Sequence, residues 1–130
     1  MKQGIKNLWG PNSLLVLSVV YTLFITFALL TPITGAPKIE FPFVDKMVHF
    51  IMNAGLFIVW SSSILSKRVG FSKTHTLALL FLGALFYGIL IEVLQGSFVA
   101  TRGADVFDVV ANIFGLFFGL FVVKASKKLI

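Results

Sequence analysis

The sequence predicts an all-α fold: one domain over residues 1–130, built as a bundle of four transmembrane helices with both termini on the cytoplasmic side. Three observations carry this. Hydrophobic residues make up 58% of the chain, charged residues only 12%, and mean hydropathy is +0.99. The apolar residues fall into four runs, at about 13–30, 47–65, 76–94 and 106–123. Lysine and arginine collect between alternate runs. A soluble domain carries about 25% charged residues, and an apolar excess of this size in water would form one aggregating surface. That excludes a soluble enzyme and a disordered tail. The net charge of +6 does not signal nucleic acid, because no basic stretch interleaves aromatics on a polar face. With no cysteine, disulfides, thiolate metal sites and thiol catalysis are excluded.

Each run approaches the ~20 residues that a helix needs to cross about 30 Å of hydrocarbon. In lipid the backbone must bond to itself, so each run is expected to be helical. The runs are too long, and alternate too little, for barrel strands of about 10 residues. Pro11-Asn12-Ser13 opens the first helix and Thr31-Pro32 closes it. Two lysines precede this run, as in a signal peptide, but it exceeds the usual apolar length of about 7–15 residues. The small-x-small candidate Thr34-Gly35-Ala36 lies beyond a proline, so a retained helix is expected. Asp45 reads as the N-cap of the second helix, after a loop holding Pro37 and Pro42. Lys67-Arg68-Val69-Gly70 ends that helix, and Ser97 to Gly103 separates the third from the fourth.

Orientation follows from basic residues. Lys2, Lys6, Lys67, Arg68, Lys73, Lys124, Lys127 and Lys128 fall on one side; Lys38, Lys46 and Arg102 fall on the other. The richer side should be cytoplasmic.

The polar residues are distributed unevenly. Of the five acidic residues, Asp45, Glu92, Asp105 and Asp108 lie at the outward ends of helices two, three and four. Helical spacing puts Asp45, His49 and Asn53 on one stripe, Glu92 and Gln95 on a second, and Asp105, Asp108 and Asn112 on a third. A carboxylate facing lipid near mid-bilayer costs about 3 kcal/mol. The stripes are therefore expected to face one another around an outward-facing polar pocket. Ala84 and Gly88 lead to Glu92, and Gly115 and Gly119 continue the Asp108–Asn112 stripe; small residues let helices approach closely in lipid.

Each residue also has a plain reading. Asp45 can simply cap a helix, Lys46 can snorkel to headgroups, His49 can be a hydrogen-bonded packing residue, and Asn112 can be interhelical glue. Arg102 can be the counter-ion of Glu92 or an anion binder. His75 lies among cytoplasmic cations and is assigned nothing. Glu92 is the hardest to dismiss, because an ionisable residue inside a span is a functional candidate by default. Three chemistries stay open. Crowded carboxylates can supply an acid and a base near neutral pH. His49 with two carboxylates can hold a divalent metal, although no HExxH or paired-His spacing supports a metal assignment. The pocket can also only bind a headgroup or cationic ligand. The candidates for catalysis are Glu92, His49 and Asp108. Ser97 and Thr101 carry no sign of activation, and no cofactor is identifiable.

The pattern Asp45-Lys46-x-x-His49-Phe50, Glu92-x-x-Gln95, Arg102, and Asp105-x-x-Asp108-x-x-x-Asn112-x-x-Gly115-x-x-x-Gly119 resembles the VanZ-like family of bacterial membrane proteins, associated with teicoplanin resistance. The likeness runs from Asp45 to Gly119, and departs where the family often has Tyr and this chain has Asn53. It implies a multi-pass protein of the bacterial cytoplasmic membrane. It further implies that Asp45, Lys46, His49, Glu92, Gln95, Arg102, Asp105, Asp108 and Asn112 are the family's signature set, and the first reading here is that this set meets an envelope ligand. That ligand is expected to be a lipid-linked precursor, a lipid headgroup or a glycopeptide. The family resemblance supplies no reaction. A membrane-embedded hydrolase or transferase and a purely structural accessory subunit stand as the alternatives.

Overall fold

The computed structural model describes residues 11–31, 42–67, 70, 72–99 and 105–126. Among them are four helices: α1 (Pro11–Leu30), α2 (Pro42–Ser66), α3 (Lys73–Phe98) and α4 (Val106–Ala125). All four are long and apolar enough to cross a membrane. At 1.5 Å per residue, the 20 residues of α1 and α4 each span about 30 Å.

All four helices outrun the apolar runs that announce them, the second and third by the most. The second starts at Pro42, with Asp45 in its first turn and not at its cap. Proline suits the first helical position, where its missing N–H would have no intrahelical partner. The third starts at Lys73 because Ser72 caps it, its Oγ accepting from the His75 N–H at 3.2 Å. It runs on to Phe98, so Ser97 sits in its last turn and not in a loop. Hydropathy marks the lipid-crossing portion of a helix; the polar turns at the interface still satisfy their backbone internally.

The centre of the bundle is the α2–α4 pair, which has the most extensive contact. The glycines of α4 explain it. A Cβ on Gly115 would collide with the backbone carbonyl of Phe50, and one on Gly119 would sit 2.9 Å from the carbonyl oxygen of Ala54. No side chain separates the two backbones there. Below this crossing Phe57, Leu77, Leu116 and Val123 form a buried apolar cluster, with Phe81 edge-on to Phe57.

Helix α1 is fastened through hydroxyls. Ser18 Oγ donates to the Val59 carbonyl at 3.0 Å, Tyr21 OH to the Met52 carbonyl at 2.8 Å, and Trp60 Nε1 to Thr22 Oγ1 at 2.9 Å. Thr26 and Tyr87 share a hydroxyl–hydroxyl bond of 2.5 Å that ties α1 to α3. The ring of Tyr21 lies over Gly55, where a Cβ would occupy the position of its hydroxyl. Ser18, Thr22 and Thr26 are spaced by four, a stripe on one face of α1. Outward-facing Phe24, Phe27, Phe86, Phe107, Phe114 and Phe121 are all exposed, as an apolar surface solvated by acyl chains requires.

Candidate functional site

The polar residues collect at one end of the bundle: the first two turns of α2 with Asn53 one turn deeper, the last two turns of α3 and the first two of α4. His49, Glu92 and Asp108 are 1%, 4% and 3% exposed, and Asn53 and Asn112 are each 2% exposed. Asp45, Lys46 and Asp105 stand at the rim.

Two asparagines set the state of His49. The amide nitrogen of Asn53 donates to the His49 backbone carbonyl, 3.0 Å away, and to Asn112 Oδ1, 2.7 Å away. A carbonyl can only accept, so the Asn53 atom there is nitrogen, and the Asn112 atom facing it is therefore oxygen. That oxygen also lies 3.2 Å from His49 Nδ1, which must donate to it. Nδ1 thus carries a hydrogen, and Nε2 is the ring atom left to meet a further partner. Nε2 is buried without a hydrogen-bond partner and faces Asp108 Oδ2 at 3.5 Å and Asp45 Oδ1 at 3.7 Å. Gly88 makes room for this arrangement: its α-carbon faces the Asn112 amide, and an added Cβ would lie 3.0 Å from Nδ2.

The opposite side of the carboxylates belongs to Lys46. Its Nζ lies 2.5 Å from Asp105 Oδ2, 2.8 Å from Asp108 Oδ1 and 3.9 Å from Asp45 Oδ2. Lys46 does not snorkel outward: its ammonium turns inward and clamps α2 to α4. Asp105 is the N-cap of α4, with Oδ1 accepting from the Phe107 N–H at 2.9 Å. The Lys46 ammonium, and then that backbone N–H, hold its carboxyl below the ordinary carboxylate range. Glu92 reaches across from α3, its Oε1 accepting from the Asp105 backbone N–H at 2.6 Å, while Oε2 is buried without a partner.

Of the residues expected in the pocket, Asp45, Lys46, His49, Asp105, Asp108 and Asn112 form one connected group, which Glu92 joins through the α4 N-terminus. Gln95 takes a different partner, donating from Nε2 to the Leu29 carbonyl at 2.6 Å in the last turn of α1. The last carbonyls of a helix have no partner within it, so this bond closes the end of α1. Arg102 and Thr101 lie outside the described residues, as do the Thr34-Gly35-Ala36 segment and the basic residues Lys2, Lys6, Lys38, Arg68, Lys127 and Lys128. Asn53 was expected only as a member of the α2 stripe, yet it is the donor on which the network's polarity depends. Its position one turn after His49 is the signal for that role. Asp105 as a cap was also legible, from a carboxylate just before an apolar run.

Two grooves lie away from this group. One, of about 220 Å³, runs between α1, α2 and α3 beside Thr22, Trp60 and Tyr87; the other lies between α3 and α4 beside Phe81 and Phe117. Both have mainly apolar walls. No family model matches this chain, and neither a curated protein nor a solved structure matches it.

Proposed function

We propose that this chain is a multi-pass protein of the bacterial cytoplasmic membrane, VanZ-like in kind, with both termini in the cytoplasm. Its polar end faces outward and binds or modifies a component of the cell envelope: a lipid-linked precursor, a lipid headgroup or a glycopeptide. A contribution to glycopeptide resistance of the teicoplanin type is the expected phenotype. The observation that carries the reading is the burial of Glu92, His49 and Asp108 together at one end of an otherwise apolar bundle. Burying ionisable groups is costly in a membrane protein and marks sites of ligand or proton handling. Asp105 and Asp108 already hold the Lys46 ammonium, and the surplus of carboxyl groups over it suits a polar or cationic group.

Catalysis is the second reading, favoured by the unpartnered Glu92 Oε2 and His49 Nε2. Glu92 or Asp108 would serve as the base, with His49 as its partner. One substitution separates these readings from a structural role. Glu92→Gln keeps the shape and removes the charge. The variant is expected to insert and fold as the parent does, and to lose the envelope phenotype. Loss of binding together with phenotype favours a binding protein, whereas retained binding with lost turnover favours an enzyme. An unchanged phenotype in both Glu92→Gln and Asp108→Asn overturns both functional readings.

A further inference from the structure

The unpartnered nitrogen of His49 leads further. It is buried without a hydrogen-bond partner and faces two carboxylate oxygens, so it invites a positive charge between them. Among the described residues, three carboxyl groups (Asp45, Asp105 and Asp108) meet one ammonium, that of Lys46, and Glu92 joins them through the Asp105 N–H. The point where a further positive charge fits lies between His49 Nε2, Asp108 Oδ2 and Asp45 Oδ1.

We propose that these three atoms bind one divalent cation of the zinc type. The ligand set, one imidazole nitrogen and two carboxylate oxygens, is a donor set zinc accepts. One ligand atom from each of Asp45, His49 and Asp108 lies within 4.8 Å of the other two, and the nitrogen–oxygen separations from Nε2 are 3.5 and 3.7 Å. Two ligands each about 2.1 Å from a tetrahedral zinc lie about 3.4 Å apart, so both nitrogen–oxygen pairs already match to within a few tenths of an ångström, and the exposed Asp45 carboxylate is the ligand that adjusts. The ring needs no reorientation. The Asn53–Asn112 relay already places the hydrogen on Nδ1, and a metal-ligating histidine characteristically donates its other N–H to an oxygen acceptor. Lys46 does not compete, because it holds Asp108 through Oδ1 and Asp105 through Oδ2, leaving Asp108 Oδ2 and Asp45 Oδ1 free for the ion. A carboxyl cluster alone would not carry this assignment. The second observation is a histidine, 1% exposed, whose only uncommitted atom points into the cluster.

Three protein ligands leave a fourth position of a tetrahedral ion vacant, and the half-exposed Asp45 puts that position on the rim side of the site. An ion there would polarise an anionic group of a bound ligand or a water molecule. The inference deepens the proposed function, because it rests on this cluster being the working site.

The test is direct metal binding. The full chain, without a histidine tag, is purified in detergent, stripped with a chelator and titrated with Zn²⁺ against a chromogenic chelator. One Zn²⁺ per chain is expected. Asp45→Asn, at an exposed first turn where folding is not at stake, should weaken binding at least tenfold. Asn112→Ala, which removes the acceptor behind His49, should weaken it roughly ten- to hundredfold, and His49→Gln should abolish it. If His49→Gln fails to stay monodisperse, Asp45→Asn and Asn112→Ala decide. No saturable binding overturns the proposal and leaves a proton as the occupant of Nε2; binding indifferent to Asp45 and Asn112 overturns it too. Failed zinc binding with a lost phenotype in Glu92→Gln sinks the metal site alone. Intact zinc binding with an unchanged phenotype in Glu92→Gln and Asp108→Asn sinks the functional reading alone.

Discussion

His49 and its two asparagines show how side chains one turn apart can fix a proton's position. The hydrogen on Nδ1 follows from a chain that begins at a backbone carbonyl and passes through Asn53 and Asn112. Side-chain hydrogen bonds between membrane helices average about 0.6 kcal/mol and reach about 1.7 kcal/mol. Asn53→Ala, which deletes one such bond to Asn112 and a second within α2, is therefore expected to cost about 1–2 kcal/mol in thermal unfolding in detergent. Its effect on His49 should exceed its effect on the bundle, visible as a shifted imidazole resonance; an unmoved resonance would contradict the relay. Asp105 titrates with a defined sign. Its folded pKa lies below the unfolded value of about 3.9. Its contribution to stability is thus fully present above pH 4 or so, and is lost as pH falls through the folded value. The melting temperature should drop on acidification below that point, and Asp105→Asn should flatten part of the drop.

Among the elements, α4 depends most on what it lacks. Gly115 and Gly119 bring its backbone against the carbonyls of Phe50 and Ala54, and this contact sets the rotation that turns Asp108 and Asn112 toward His49. Gly115→Ala drives a methyl group into backbone, which cannot swing aside as a side chain can. Overpacking of this kind costs about 1–3 kcal/mol, and because the crossing positions the cluster, zinc or ligand binding should weaken with it. Gly83 is the control: an added Cβ meets nothing within 4 Å. Gly83→Ala should leave stability unchanged or raise it by up to about 1 kcal/mol through helix propensity. Equal losses for the two variants, in the same thermal assay, would show that close packing at Gly115 is not what holds α2 to α4.

For the molecule as a whole, the decisive question is which way the polar end points. The chain has no cysteine, so single-cysteine variants report sidedness without background. Gly70 lies in the connection between α2 and α3, exposed and with open space around it, and Thr31 lies exposed just beyond α1 at the polar end. In intact cells an impermeant maleimide should label Thr31→Cys and should label Gly70→Cys only after permeabilisation. The reverse pattern would place the cluster in the cytoplasm and remove the outward-facing reading. The same bilayer logic accounts for the exposed phenylalanines of α1, α3 and α4: acyl chains suit them, and no tertiary contact is required to satisfy them.

The four spans were legible in the amino-acid order because a membrane helix closes its own backbone hydrogen bonds, and its apolar content is a property of one segment alone. The concentration of Asp45, His49, Glu92, Asp105 and Asp108 at one end followed from the same arithmetic, since position along a helix fixes depth. Partner choice did not follow. Lys46 turning inward to Asp105 and Asp108, Gln95 closing α1 at Leu29, and the orphan nitrogen of His49 all depend on helix rotation about its axis. That rotation is set by contacts far apart in the chain, the Gly115–Phe50 crossing above all. Periodicity says which residues share a face of a helix; only the packed bundle says what that face meets.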